Sequence, residues 1–293
     1  MTTAQTPIIA PIKAAAKKPG RPAGQIARTT IVYVVLIAFA VVFMLPIIVV
    51  LLTSFKSTAE VDITRMWELP SQLSFESFGA AFEALKVGLT NSFLLVIPAT
   101  VISAVLGSLN GYVLSKWKFP GANIIFPLML FGMFIPYQAI IIPLVQFLRG
   151  IGLYNTLPGL IMCHVVYGLP ITTLIFRNYY AEVPDEMLEA GAIDGAGFFG
   201  LYWKIVLPIS LPGFVVVAIW QFTQIWNEFL FSITIAQGTP TVTVALQNIA
   251  GSQIIQWNVQ MASAFLAAIP TTIVYILLGR YFIRGLLAGS IKG

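Results

Sequence analysis

The chain has 293 residues, of which 58% are hydrophobic and only 9% are charged, and its mean hydropathy is +0.90. A soluble domain carries roughly 25% charged residues, so this composition excludes a water-soluble globular protein and predicts an integral membrane protein. The net charge of +5 does not require a nucleic-acid partner, because the basic residues follow a membrane-topology pattern.

Six segments without Asp, Glu, Lys or Arg predict the membrane-spanning helices. The first four charge-free runs are 27, 29, 30 and 26 residues long, a fifth has 23, and the last has 51 with a polar middle. A helix needs roughly 20 residues to cross the hydrocarbon core, and continuous apolar runs favour helices over alternating strands. We therefore predict an all-α integral membrane protein with six transmembrane helices, at 30–54, 90–115, 122–143, 157–179, 212–234 and 260–280.

The Lys and Arg residues predict the orientation of these helices. With the N-terminus inside, twelve of the sixteen basic residues lie in inside segments and four lie in outside segments. Cytoplasmic segments carry the excess of Lys and Arg. We therefore expect both ends of the chain in the cytoplasm.

Two tails flank the predicted membrane domain, which covers residues 29–286. Residues 1–28 are rich in Ala, Pro and Lys and are expected to form a disordered basic cytoplasmic tail, and residues 287–293 a second, short one. A cleaved signal peptide is the alternative for the N-terminal region. It is disfavoured because the apolar run exceeds the roughly 7–15 residues of a signal peptide and lacks a small-x-small cleavage site. Residues 56–88 are expected outside, with a short amphipathic stretch at Phe75–Leu85.

Helix four carries the only histidine, His164, and the only cysteine, Cys163. A single cysteine excludes a disulfide framework within the chain. His164 lies in the middle of the helix, where it could line a transport path or serve as an ordinary packing side chain.

The inside segment 180–211 predicts a helix–turn–helix elbow on the cytoplasmic face, and we call this segment the elbow. Pro184 suits the first turn of a helix. Asp185 and Glu186 follow where negative charge meets the positive end of the helix dipole.

Both helices of the elbow have defined ends in the sequence. Gly195 and Gly197 are expected to end the first helix in the left-handed conformation, and a second helix at Phe198–Val206 leads into Leu207-Pro208. A rigid elbow of this kind would present a protruding docking surface to a cytoplasmic partner. The alternative is an interfacial helix pair without a partner.

Helix five carries a polar face within the membrane. Gln221, Gln224 and Glu228 fall at i, i+3 and i+7 and share one face, with Asn227 beside them. Polar groups at membrane depth normally face a bundle interior or a cavity. The face could line a translocation path, hydrogen-bond to a neighbouring subunit, or place Glu228 in outside water.

Several motifs resemble those of permeases from ABC importers. Within the elbow, Glu189-Ala190-Gly191, Asp194-Gly195-Ala196, Tyr202, Ile205 and Leu207-Pro208 resemble the EAA signature of these permeases, with 13 residues from Gly195 to Pro208 as in the signature. Two positions depart from it, since Gly191 stands where Ala is usual and Tyr202 where Phe is usual.

The resemblance extends over most of the chain. Lys118-Phe119-Pro120-Gly121, Trp226-Asn227-Glu228-Phe229 and the tail from Arg284 to Gly293 look like the carbohydrate branch, in which the chain is similar to the smaller permease of maltose-type systems. Thr241–Leu246 and Gln256–Ala262 look nearest to glucose/mannose permeases.

The resemblance implies a type I ABC importer permease whose elbow couples to a separate ATPase. The implied coupling residues are Glu189, Ala190, Gly191, Asp194, Gly195, Ala196, Tyr202, Ile205 and Pro208. The implied partners are a second permease subunit, two copies of the ATPase, an extracytoplasmic sugar-binding protein and the lipid bilayer. ATP and Mg²⁺ would be used by the ATPase, and this chain would bind no cofactor or metal.

The outside loop 236–258 is uncharged and polar. By the same resemblance it is expected to reach the binding protein, although an ordinary connector is the alternative. The candidate contact residues are Thr241, Thr243, Gln247, Asn248 and Gly251.

Other functions remain open at this point. The chain contains no G-x-x-x-x-G-K-[ST] phosphate loop and no H-E-x-x-H motif, and one histidine leaves little for a membrane hydrolase. An ion-coupled secondary transporter would usually show repeats and paired midplane charges. An ABC permease for another solute, such as a glycerol phosphate, should carry cations in its path, and helices two to six hold none at mid-depth, which favours a neutral sugar. The resemblance to glucose/mannose permeases favours a monosaccharide, and the resemblance to ABC importers implies a cell membrane of bacterial or archaeal type.

Overall fold

The structure is a computed structural model of the chain, and it describes residues 23–252 and 256–288. Every regular element within these two ranges is helical. The α-helices are α1 Ala23–Ser54, α2 Glu76–Lys116, α3 Ala122–Gly132, α4 Ile141–Gly150, α5 Leu157–Ala181, α6 Asp185–Ile193, α7 Phe198–Leu201, α8 Leu207–Ile209, α9 Leu211–Trp226, α10 Leu230–Ile235, α11 Val242–Ala250 and α12 Trp257–Ala288. Short 3₁₀ turns cover Ile63–Arg65 and Tyr137–Ile140, and a π-helical turn at Tyr202–Val206 joins α7 to α8.

Helices α1 and α12 extend into both predicted tails. Helix α1 begins at Ala23, so the predicted disorder up to residue 28 is wrong for its last six residues, and residues 1–22 lie outside the described ranges. Helix α12 continues to Ala288, and the final residues 289–293 also lie outside.

The chain divides into two compact units, Met1–Ile48 and Val49–Gly293. In the first unit, α1 exposes large apolar side chains all round, including Tyr33, Phe39 and Phe43. A helix that is apolar on every side is typical of a membrane span.

In the second unit, α2 is longer than predicted. The expected amphipathic stretch at Phe75–Leu85 and the expected second span at 90–115 form one continuous helix of 41 residues. No glycine–proline pair or charge cluster interrupts 76–90, so nothing in this stretch ends the helix. Pro98 lies inside α2 without breaking it.

Small residues allow α2 and α5 to pack closely. A Cβ added at Gly107 would lie 2.2 Å from Thr172 Oγ1, and one added at Gly111 would lie 2.7 Å from Phe176 Cβ. Glycines four residues apart share a helix face and permit the close approach of two membrane helices. The α2–α5 pair therefore forms the centre of the unit, on which the functional residues are arranged.

Two predicted spans are broken. The third, expected at 122–143, consists of Ala122–Gly132 and Tyr137–Gly150, which meet at 89°. Pro136, in the extended conformation, lies at the break, and its ring disfavours helical backbone at the residue before it.

The fifth span, expected at 212–234, is interrupted between α9 and α10. At the end of α9 the Thr223 carbonyl accepts both the Asn227 N–H at 3.2 Å and Asn227 Nδ2 at 2.8 Å. The carboxylate of Glu228 accepts the backbone N–H groups of Phe231 at 2.8 Å and Ser232 at 3.3 Å. A carboxylate in this position caps the start of a helix.

The all-α membrane class is confirmed, but the number of spans depends on how bent helices are counted. Four helices are long and apolar enough to cross a membrane alone: Ala27–Ser54, Glu76–Lys116, Leu157–Ala181 and Trp257–Tyr281. Two bent pairs, the broken third span and Phe198–Ile209 with Leu211–Trp226 at 74°, would raise the count to six in the described part of the chain.

Candidate functional site

The first helix of the elbow ends in a Schellman motif. Gly195 has φ +85°, the Ala196 N–H donates to the Gly191 carbonyl, and the Gly195 N–H donates to the Ala192 carbonyl, both at 3.0 Å. These are the two bonds that close a helix through a left-handed residue. Gly197 is extended, with φ −77° and ψ −178°, so the prediction that it also turns left-handed is wrong.

The predicted coupling residues divide between two sides of the elbow. Glu189, Ala190, Asp194, Gly195 and Pro208 are exposed, whereas Gly191, Ala196 and Ile205 are half-buried and Tyr202 is buried. The exposed group is available to a partner. The inner group instead holds the two helices of the elbow together.

The lack of a side chain at Gly191 contributes to this inner packing. A Cβ added there would lie 2.5 Å from Ile205 Cδ1 and 2.8 Å from Leu201 Cδ2. The absence of a side chain therefore lets α6 lie close against the second helix of the elbow, and the departure from Ala at this position has a local structural reason.

A buried lysine joins the elbow to α2. Lys116 Nζ donates to Asp185 Oδ1 at 2.6 Å and to the Val183 carbonyl, and the lysine side chain is only 7% exposed. The hydrogen bond from Lys116 and its positive charge hold the pKa of the Asp185 carboxyl below its usual value. The elbow is thereby fixed at its start as well as at its turn.

A second site is an open cavity of about 610 Å³. It lies between α5, α9 and the two helix interruptions at 133–136 and 227–229. All five predicted path residues line it: His164, Gln221, Gln224, Asn227 and Glu228. The helical-face argument is wrong for Glu228, which lies beyond the end of α9 and caps α10. It nevertheless reaches the cavity, and its Oε2 lies 3.9 Å from His164 Nε2.

Two buried polar groups of this cavity have no hydrogen-bond partner among the described residues. They are Nε2 of His164, a residue 6% exposed, and Nε2 of Gln221, a residue 3% exposed. A Cβ at Gly168 would lie 1.8 Å from Gln221 Nε2, so this glycine makes room for the amide. Buried polar groups normally find partners, and these two are available to a ligand.

Sequence reasoning missed the aromatic half of the cavity. Tyr137, Tyr167 and Trp220 line it together with Gln138, and Tyr137 and Tyr167 pack on Phe231 with ring centroids 4.8 and 5.2 Å away. Tyr167 follows His164 by three residues, which places both on one helix face and was a usable signal. Tyr137 is brought in by the bend at Pro136. Prolines in this span suggest a bend, but the sequence did not predict its angle of 89°.

The outer loop 236–258 contains helix α11 and is tied to the rest of the unit. The Val242 N–H donates to Ser92 Oγ at 2.9 Å, Asn91 Nδ2 donates to the Pro240 carbonyl at 3.0 Å, and Thr243 Oγ1 donates to the Glu228 carbonyl at 2.8 Å. The described part of the loop up to residue 252 therefore contacts both α2 and the cavity.

The five predicted contact residues of this loop are placed differently. Gln247, Asn248 and Gly251 are exposed, whereas Thr241 is 2% exposed and donates to Ser232 Oγ at 2.8 Å. Thr243 is half-buried. Only the exposed three present side chain or backbone to a partner in this conformation.

Comparisons with known proteins agree with this architecture. The family model described as binding-protein-dependent transport system inner membrane component matches residues 99–287. A probable ABC transporter permease protein of Pyrococcus horikoshii is 42% identical over 266 residues, which cover 90% of this chain and 97% of that protein. A xylose/arabinose import permease protein of Haloferax volcanii is 35% identical, covering 87% of this chain and 90% of the relative.

A solved structure shares the fold. A chain of a bacterial ABC transporter involved in the import of the acidic polysaccharide alginate superposes with a TM-score of 0.80 at 22% identity, covering 90% of this chain and 100% of that one. ABC transporter permeases are membrane translocation subunits and not catalysts. The chain belongs to the family of binding-protein-dependent transport system inner membrane components, the permease subunits of ABC transporters.

Proposed function

We propose that this chain forms half of the translocation path of an ATP-driven importer for a neutral sugar, with a monosaccharide favoured. The observation that carries the proposal is the composition of the cavity. Amide, imidazole and carboxylate groups from Gln221, Gln224, Asn227, His164 and Glu228 stand beside tyrosine and tryptophan rings. Sugar hydroxyls need donors and acceptors, and the apolar face of a sugar ring packs on aromatic surfaces.

The charge of the cavity supports a neutral substrate. No Lys or Arg is among the described residues that line it. A phosphate or carboxylate ligand would be expected to meet a cationic donor. The open side of the cavity would be closed by the second permease subunit, which completes the path.

The elbow supports an external energy source. Its exposed residues, which include Glu189 and Asp194, offer a rigid surface with defined helix ends to a cytoplasmic partner. We propose that this partner is an ATPase present in two copies and that it uses ATP and Mg²⁺, since this chain carries no phosphate loop. An extracytoplasmic binding protein would dock at the outer loop through Gln247, Asn248 and Gly251 and deliver the sugar.

The proposal is tested by purifying the chain with its partners from its native membrane and measuring uptake. We expect a P-loop ATPase and a second permease to co-purify, and reconstituted vesicles to accumulate a labelled sugar only with ATP and the binding protein. Accumulation driven by an ion gradient without ATP would contradict the proposal and favour a secondary transporter. ATP-driven uptake of a glycerol phosphate in preference to sugars would reject the sugar assignment alone.

The cavity is tested in the same vesicles. Gln221→Leu keeps the volume of the side chain but removes its amide, and we expect sugar uptake at limiting concentration to fall about tenfold, as for loss of one or two ligand hydrogen bonds. Gln260→Leu is the matched control, because Gln260 Oε1 is also buried without a described partner but lies on α12 away from the cavity. Equal effects of the two changes would argue against a direct role of Gln221.

A further inference from the structure

Three buried hydroxyl groups connect the second helix of the elbow to α2 and α5. Ser108 Oγ on α2 lies 2.8 Å from the Tyr202 hydroxyl and 2.6 Å from the hydroxyl of Tyr180 at the end of α5. The bonds thus run from Tyr202 in the elbow through α2 to α5.

Ser108 stands at the centre of this network. It carries one hydroxyl proton and cannot donate to both tyrosines, so at least one tyrosine hydroxyl donates to it.

The network is sealed from solvent within the described structure. Ser108 and Tyr180 are 0% exposed and Tyr202 is 1% exposed. Water cannot replace a missing partner at such a site without rearrangement, so removal of one member leaves the others unsatisfied.

The network lies at one of the two irregular points of the elbow's second helix. Tyr202 begins the π-helical turn Tyr202–Val206, and π-bulges frequently occur at functional sites. The other point is the 74° bend between Phe198–Ile209 and Leu211–Trp226. Tyr179 of α5 ties this bend to the same helix, since its hydroxyl donates to the Ile209 carbonyl at 2.8 Å.

We propose that Ser108 is a positioning residue for energy coupling, which makes the second helix of the elbow move together with α2 and α5. The inference rests on the proposed docking of an ATPase on the elbow. A displacement of the elbow is passed to the α2–α5 pair through Ser108, and α5 carries His164 of the cavity. The Tyr at position 202, where the EAA signature has Phe, supplies the hydroxyl that begins this connection.

The test compares Ser108→Ala with Ser115→Ala in the purified complex. Ser115 is on the same helix, and its buried hydroxyl has no hydrogen-bond partner among the described residues, so it controls for loss of a serine from α2. The measurement is the amount of sugar imported per ATP hydrolysed. We expect Ser108→Ala to lower this ratio about fivefold while ATP hydrolysis continues, as for loss of a small coupling free energy, and Ser115→Ala to leave it unchanged.

Tyr202→Phe keeps the ring and removes only one hydroxyl of the network. It breaks one of the two bonds to Ser108, whereas Ser108→Ala breaks both, so we expect a smaller loss of ratio than for Ser108→Ala. The double variant should be no worse than Ser108→Ala alone, because both changes act on one network.

Three results would overturn the inference: a wild-type ratio in Ser108→Ala, an equal loss in Ser115→Ala, or additive losses in the double variant. If Ser108→Ala fails to assemble, the ratio in Tyr202→Phe decides, and an unchanged ratio rejects the inference. Absence of ATP-driven import by the wild-type complex would instead reject the proposed function itself.

Discussion

At the scale of single residues, the positions with the clearest roles are those where a side chain is absent. Gly168 and Gly191 are ordinary helical residues by backbone conformation, but an added Cβ would meet Gln221 at one and Ile205 at the other. Each glycine marks a close approach between two helices. Their spacing in the sequence contains no signal of this, because the neighbour that makes the glycine necessary is distant in the chain.

Gly168→Ala should therefore displace the Gln221 amide from its place in the cavity. Overpacking of this kind costs about 1–3 kcal/mol, and we expect weaker sugar uptake together with a lower melting temperature. Gly279→Ala is the control, since nothing lies within 4 Å of a Cβ at that position of α12. Unchanged uptake in Gly168→Ala would show that the position of the amide is not needed for transport.

The Lys116–Asp185 pair predicts a pH dependence of the elbow. The folded-state pKa of Asp185 is lowered by Lys116, so the pairing stabilises the elbow above the unfolded pKa of about 3.9 and is lost as the pH falls through the lower folded value. We expect Asp185→Asn, which leaves the bond from Lys116 to the Val183 carbonyl in place, to accelerate amide hydrogen exchange of residues 185–193 near neutral pH. The difference from wild type should shrink only as the pH falls below about 4, through the lowered pKa of Asp185. A difference that persists at still lower pH would reject the pairing as its cause.

At the scale of elements, the turn of the elbow depends on one left-handed residue. Gly195→Pro cannot adopt φ +85° and also loses the N–H that bonds the Ala192 carbonyl. We expect this variant to insert into the membrane but to lose ATPase association and uptake. Gly195→Asn is the matched control, because Asn tolerates the left-handed region and no atom lies within 4 Å of its Cβ. Normal uptake by Gly195→Pro would contradict the coupling role of the elbow.

The departures from the EAA signature can be tested as a pair. Gly191→Ala restores the usual residue but places a Cβ 2.5 Å from Ile205 Cδ1. We expect it to lower the melting temperature of the complex by an amount equivalent to about 1–3 kcal/mol. Ile205→Val, which removes that Cδ1 atom, should restore much of the loss in the double variant. Independent, additive effects of the two changes would show that the contact is not the cause.

The sequence predicted elements well where charge or turn chemistry decides them, and poorly where side chains act at a distance. The elbow, α5 and the membrane class follow from composition, charge-free runs and the Pro184 and Gly195 signals. The interruption at Asn227–Phe229 contains no proline or glycine that would reveal it in the sequence. The Glu228 side chain caps α10 there instead. The aromatic wall of the cavity depends on the 89° bend at Pro136, and a proline alone does not reveal how far a helix turns.

At the scale of the whole molecule, the predicted orientation can be tested with single cysteines. Cys163 is 3% exposed, so its background reaction should be low. Both Lys204 and Asn248 are exposed, and cysteines in their places should react with a membrane-impermeant maleimide on opposite sides. We expect Asn248→Cys to be labelled in intact cells and Lys204→Cys only after permeabilisation. The reverse pattern would show that the outer loop and the elbow are exchanged across the membrane.

Helix α2 gives the molecule a mechanical property that its contacts alone do not describe. It touches the outer loop at Gly88 and Ser92 and the elbow network at Ser108. These two contact regions, here called its joints, lie about 30 Å apart along the helix, which acts as one rod. A rod of this length tilted by a few degrees about one joint displaces the other by roughly 2 Å. Pro98 lies between the joints and omits one bond of the helical ladder, which makes it the most compliant point of the rod. The stiffness of α2 at this proline would then set how much of a movement at the elbow arrives at the outer face and how much is absorbed on the way.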